Sequence, residues 1–167
     1  MTAIWRAYSA LVTGLAVIAA AMLGLITLVI VIDVTMRNLG FQPYPHTLAL
    51  TEYSLLYIAM LGAPWLVREK GHVHIEIVVA RLHGTARRIV HGFVALVCAA
   101  VCLVLAWYAL DVTLRDLARA DMDIRSFDSP RWILIASMPL GFFLSAIEFV
   151  RFLLGYDDMF KDAVVYE

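Results

Sequence analysis

The sequence predicts an all-α integral membrane protein: four transmembrane helices, with an amphipathic interfacial helix between the second and third. Three observations lead there. Hydrophobic residues make up 63% of the 167 and charged residues 16%, whereas soluble domains have about 45–50% and about 25%. Four long stretches are nearly free of charge. Residues 7–32 and 89–110 contain no Asp, Glu, Lys or Arg, residues 47–67 contain only Glu52, and residues 132–154 contain only Glu148 and Arg151. Each stretch is also long enough, since a hydrocarbon core of about 30 Å takes roughly 20 helical residues. Backbone facing lipid must satisfy its own hydrogen bonds, so the spans are helices. They are expected at about residues 8–32, 47–67, 89–112 and 130–154, in one membrane domain covering 1–167.

The first span follows Arg6 and passes through Ala19, Ala20 and Ala21, small residues that resemble a cleavage region. Its apolar run is longer than the roughly 7–15 residues of a signal-peptide core, so it reads as a retained span. The loop at 38–46 holds Pro43 and Pro45 and should be extended. Pro64 falls inside the second span and Pro139 inside the fourth, and both should bend their helices. Between spans two and three, Ile75, Ile77, Val78, Val79 and Leu82 are mixed with Glu76, Arg81, Arg87 and Arg88. That mixture fits a helix at about 73–88 lying along the interface, apolar side down. The alternative is a hairpin that merely extends its two neighbours. Leu110, Leu114 and Leu117 continue the helical spacing of the third span. A single helix over 89–120 would be about 48 Å long. An aspartate-rich stretch follows at 121–128. Ser129 then reads as an N-cap and Pro130 as the first helical residue, with Trp132 at the depth of interfacial aromatics.

Charge sets the expected orientation. Arg6, Arg68, Lys70, Arg81, Arg87, Arg88, Arg151 and Lys161 fall on one side of the membrane, and Arg37, Arg115, Arg119, Arg125 and Arg131 on the other. The richer side belongs in the cytoplasm, with both termini and the second loop. A net charge of −1 gives no electrostatic footprint for nucleic acid. Cys98 and Cys102 share a helical face and read as small packing residues, because neither Cys-x-x-Cys nor a nearby His completes a metal site. No internal repeat is evident, and four spans without inverted repeats argue against a complete transport pathway.

An ionisable group inside the membrane costs on the order of 3 kcal/mol unless it is paired or wetted. Arg37 closes span one and Glu52 lies about a turn into span two. The short loop makes these helices antiparallel neighbours, so a Glu52–Arg37 ion pair is expected. Asp33, four residues before Arg37, could share the guanidinium. Glu52 as a site for a transported cation or proton stays open. Glu148 is expected near the cytoplasmic boundary, at the level of Arg68 and Lys70 and three residues from Arg151. A local pair or a contact to another subunit would satisfy it. Of the five histidines, only His91 enters a span. His46 falls on the opposite side of the membrane, so the two cannot ligate one haem. No nucleophile–base set, phosphate loop or zinc motif is present, and no enzyme activity or cofactor is expected.

The order of several short motifs carries a resemblance. Arg37-Asn38-Leu39-Gly40 closes span one, and Leu50-Thr51-Glu52 opens span two. Leu61-Gly62-Ala63-Pro64-Trp65 leads to Arg68-Glu69-Lys70-Gly71-His72-Val73-His74-Ile75-Glu76. Ser129-Pro130 precedes span four, which has Pro139-Leu140-Gly141 in its middle. Over nearly the whole chain this resembles the small membrane subunit (Q subunit, DctQ-like) of tripartite ATP-independent periplasmic (TRAP) transporters. Arg37, Glu52 and His74 match positions characteristic of that family. Glu76 stands near where an aspartate is frequent, and Asn38 where an aromatic is common.

The resemblance implies a non-catalytic subunit in the bacterial inner membrane. Its partners would be a large multi-span subunit, which holds the substrate and sodium sites, and a soluble periplasmic protein that captures an organic acid. Symport would then be a property of the assembly. Membrane lipid is a further expected partner, and nucleic acid is not. Arg37, Glu52, Arg68, His74 and Glu148 are the candidates for structural ion pairs or a subunit interface. Arg115, Arg119 and Arg125, set among Asp111, Asp116, Asp121 and Asp123, are the candidates for docking the periplasmic partner. The competing function is a membrane-anchor subunit of a respiratory or quinone-linked complex.

Overall fold

The structure is a computed structural model and describes residues 3–42, 46–69, 85–123 and 129–154. Helix α1 is Ala3–Asn38, α2 is Thr47–Arg68 and α3 is Thr85–Arg119. Strands β1 (Met122–Asp123) and β2 (Ser129–Pro130) form a minimal antiparallel pair. Helices α4 (Arg131–Ile135) and α5 (Ser137–Leu153) are the last of the described elements. Among the described residues, four segments are long and apolar enough to cross a membrane: Trp5–Asn38, Thr47–Arg68, Gly92–Arg119 and Arg131–Leu153. The all-α membrane fold expected from the sequence is therefore present. The expected interfacial helix at 73–88 lies outside the described residues as far as 84, and residues 85–88 open α3.

Helix α1 has 36 residues and α3 has 35, lengths of about 54 and 52 Å at 1.5 Å per residue. Both exceed the hydrocarbon core, so each must tilt or extend beyond it. Threonines inside the spans close their hydroxyls onto the preceding turn, which satisfies those hydroxyls without an outside partner. Thr27 donates to the Leu23 carbonyl at 2.7 Å, and Thr35 and Thr113 donate likewise to Val31 and Ala109.

The two long helices end alike. At the end of α1, Gly40 has φ +82°, with Gly40 N–H bonded to the Arg37 carbonyl and Phe41 N–H to the Met36 carbonyl. At the end of α3, Ala120 has φ +50°, with Ala120 N–H bonded to Leu117 and Asp121 N–H to Asp116. Both are Schellman caps. Gly40 takes the left-handed position freely, whereas Ala120 takes it at a cost of about 1 kcal/mol. The next residues offset that cost. Asp121 accepts from Arg131 N–H at 3.0 Å, and Met122 and Asp123 pair with Pro130 and Ser129.

That pairing also moves the start of the fourth span. The sequence placed Ser129 at the N-cap and Pro130 at the first helical position. In the structure Pro130 is the N-cap, with φ −60° and ψ 122°, and the helix opens at Arg131. Ser129 is held extended by Asp123, so its side chain is not the cap. The span then breaks at Ala136, between α4 and α5. Pro139 explains the break: its ring would clash with the carbonyl four residues back, that of Ile135.

The helices do not pack in chain order. Helix α2 packs against α1 on one side and α5 on the other, and α5 packs in turn against α3. They stand as a row, α1–α2–α5–α3. The fourth span is central, with 39% of its most apolar window buried against 11% for each of the first two spans. Val67 from α2, Ala95 and Ala99 from α3, and Phe149 and Phe152 from α5 form a common core, with Cys98 and Cys102 packed against it. Small residues here let the helices approach closely, since lipid tails supply no hydrophobic force to drive them together.

Candidate functional site

Three groups of side chains hold the row. The first lies at the end bearing the start of α1 and the finish of α2 and α5. Glu148 on α5 is fully buried. Its Oε2 takes Arg151 Nη1 at 3.2 Å, and its Oε1 has no hydrogen-bond partner among the described residues. Arg151 also stacks its guanidinium on the Trp5 ring, 4.5 Å from the centroid, and Trp5 stacks on Tyr8 at 5.1 Å. The Tyr8 hydroxyl donates to the Leu144 carbonyl at 3.2 Å. Arg68 reaches from α2 to α1, donating to Ser9 Oγ at 2.9 Å, the Ser9 carbonyl at 3.2 Å and Thr13 Oγ1 at 2.9 Å. Glu69 stands 3.9 Å from the same guanidinium. Arg68 and Arg151 both reach α1, at Ser9 and Thr13 and at Trp5. The cluster therefore ties α1, α2 and α5 together at one depth. A buried charge persists only when compensated in this way.

The second group is the crossing of α2 and α5. Pro64 has no N–H, so the carbonyl of Met60, four residues earlier, lacks its helical donor. Gly141 on α5 comes directly onto that carbonyl. A Cβ at Gly141 would lie 2.5 Å from the Met60 oxygen and 3.0 Å from Met60 Cβ. Only glycine lets the two backbones meet, and its Cα–H is placed to face the exposed oxygen. Tyr57, one turn before Met60 on α2, donates its hydroxyl to the Ile133 carbonyl of α4, beyond the break at Ala136. Two of the short sequence motifs, those around Pro64 and Gly141, are thus brought into contact.

The third group lies at the opposite end, where α1 and α3 finish. Arg131 Nε stands 3.4 Å from Asp116 Oδ2, an ion-pair distance without hydrogen-bond geometry. Arg115 pairs with Asp111 at 2.6 Å and Arg37 with Asp33 at 2.9 Å, each one helical turn apart.

Several expected residues are placed by this geometry. Glu148 has Arg151 as its near partner, and Arg68 joins the same cluster through Ser9 and Thr13 of α1. Arg37 is held by Asp33 on its own helix, and no Arg37–Glu52 ion pair occurs among the described residues. The i,i+4 spacing presents Asp33 directly, whereas Glu52 is exposed on α2. His74 and Arg125 lie outside the described residues. Arg115 and Arg119 are both exposed at the end of α3. Sequence reasoning missed Tyr8, Trp5, Ser9 and Thr13 as partners of the inner cluster. Their i, i+3/i+4 spacing on α1 was the available signal. It also missed Asp116–Arg131 and Gly141–Met60, which link residues far apart in the chain.

Among the described residues, no group of three or more His, Cys, Asp or Glu is placed to hold a metal ion. The profile described as "Tripartite ATP-independent periplasmic transporters, DctQ component" matches residues 26–156. The chain belongs to the DctQ family. It is the small permease subunit of a TRAP transporter, a multi-pass membrane protein and a transport component. The match covers α2, α3, α4, α5 and roughly the last third of α1. It leaves the respiratory-anchor alternative without an observation in its favour. No curated protein and no solved structure matches the chain significantly.

Proposed function

We propose that this DctQ subunit is a non-catalytic brace of a sodium-coupled TRAP transporter for organic acid uptake. It holds the large subunit and helps dock the periplasmic binding protein. In this reading it lies in the bacterial inner membrane with both termini in the cytoplasm. The observation that supports it best is the row itself. Four helices standing side by side, tied at one end by the Arg68 and Arg151 cluster and in the middle by the α2–α5 crossing, make a stiff plate rather than a lumen. The plate leaves apolar residues such as Leu25, Leu28, Phe93 and Trp107 more than 60% exposed on α1 and α3. An apolar surface of this extent suits lipid and a second membrane protein together. Sodium and solute would be bound by the large subunit, with no cofactor in this chain. The basic residues grouped at the inner end and in the second loop support the orientation.

Expressed with the large subunit, an affinity-tagged copy of this chain should retrieve it in stable stoichiometric amount through detergent extraction. A large subunit that is equally stable and active without this chain would refute the bracing role.

A further inference from the structure

Beside the cluster of Arg68 and Arg151, α1 carries a cavity of about 480 Å³ lined by Trp5, Arg6, Ser9, Ala10 and Thr13. It lies within the first three turns of the helix, and side chains form its wall. Two of these lining groups are donors without an acceptor among the described residues. Arg6 is exposed and has neither an ion pair nor a hydrogen bond there. Ser9 Oγ accepts from Arg68 Nη1 at 2.9 Å, and its own hydrogen goes to no described oxygen. Thr13 differs, since its hydroxyl donates to the Ser9 carbonyl at 2.9 Å. Arg68, bonded to both Ser9 and Thr13, brings a second guanidinium to the cavity wall. In this cluster Arg6, Arg68 and Arg151 stand against Glu69 and Glu148, which leaves one positive charge uncompensated. The complementary ligand is therefore an anion rich in acceptor oxygens, and a phosphate fits that chemistry.

The surface leading away from the cavity says what carries the phosphate. Gly14 and Val17 follow Ala10 by four and seven residues and continue its face of α1. All three are exposed, and a Cβ added at Gly14 would meet no atom within 4 Å. From Arg6 to Val17 is about 16 Å along the axis, close to half of a hydrocarbon core of about 30 Å. A polar, cationic cavity thus opens onto a shallow apolar groove about one acyl chain deep, with the Trp5 indole at the boundary. From this we infer that the cavity seats the phosphate of an anionic glycerophospholipid, with one acyl chain lying over Ala10, Gly14 and Val17. A zwitterionic lipid would bring its own cation to a site that already holds a surplus one.

The full chain carrying Trp65→Phe, Trp107→Phe and Trp132→Phe, in which Trp5 alone emits, is placed in phosphatidylcholine vesicles. It is then titrated with brominated phosphatidylglycerol or brominated phosphatidylcholine, whose bromines quench a tryptophan on contact. The glycerol lipid should quench Trp5 at about fivefold lower mole fraction. Arg6→Gln should abolish that preference. Gly14→Leu, which fills the groove, should weaken quenching by both lipids and keep the preference. Neither side chain makes a described contact, so helicity should match the parent chain in both. Inorganic phosphate, compared with chloride at equal ionic strength, should not displace the brominated lipid. Equal quenching by the two lipids, or a preference that survives Arg6→Gln, overturns the assignment. Displacement by phosphate marks a site for a soluble anion and overturns the lipid. Unchanged quenching in Gly14→Leu rejects the groove as the seat of the acyl chain.

Discussion

Replacing Glu148 by alanine is expected to cost the subunit about 3–5 kcal/mol, the range for removing one partner of a buried ion pair. The carboxylate is fully buried, and it is the counter-charge through which Arg151 is held against Trp5. Its loss leaves the Arg151 guanidinium, itself only 14% exposed, without the acceptor at 3.2 Å. The same substitution should loosen α1, because Tyr8 and Trp5 pack on this cluster. Unfolding free energies in bicelles provide the measurement. The double variant Glu148→Leu/Arg151→Leu should lose clearly less than the sum of the two single variants, with a coupling of at least about 1 kcal/mol. Additive losses would mean that the pair is not the unit that holds the three helices.

Gly141→Leu should have the second largest effect. A Cβ at this position meets a backbone oxygen at 2.5 Å, and a backbone atom in the middle of a span cannot move aside cheaply. Overpacking of this kind costs about 1–3 kcal/mol, and leucine should reach the upper end by forcing α2 and α5 apart. Gly62 provides the internal control. A Cβ there would sit 4.0 Å from Ala19 Cβ, an ordinary contact. Gly62→Ala should therefore be neutral, or stabilising by up to about 1 kcal/mol through helix propensity. Equal thermal stability of Gly141→Leu and Gly62→Ala would show that the α2–α5 crossing is not the fixed point described above.

These two residues also show what the sequence discloses. That Glu148 falls toward the end of the fourth span was legible, because it lies 16 residues, or about 24 Å, beyond Trp132. Its partner Arg151 was legible from the i,i+3 spacing, and Asp33 beside Arg37 from i,i+4. Short-range helical geometry is fixed by the backbone and needs no tertiary knowledge. The spans were equally legible, because bilayer thickness imposes a minimum length on each apolar run. Gly141 was visible only as part of a motif. Its role depends on which helix lies opposite, and the row order α1–α2–α5–α3 follows from side-chain fit, which has no period in the chain. The expected Glu52–Arg37 pair shows the same limit, since loop length makes two helices neighbours but does not rotate them. The cap at Ala120 lacked its usual glycine. The start of span four slipped by one residue because a two-residue strand pair outside the helix competed for Ser129.

The central claim is that this chain braces a transporter and carries no solute itself. Purified alone and sealed into liposomes under an inward sodium gradient, it should give no organic-acid uptake above empty vesicles, and uptake should appear when the large subunit and the binding protein are added. Saturable, sodium-dependent uptake by this chain alone would contradict the account.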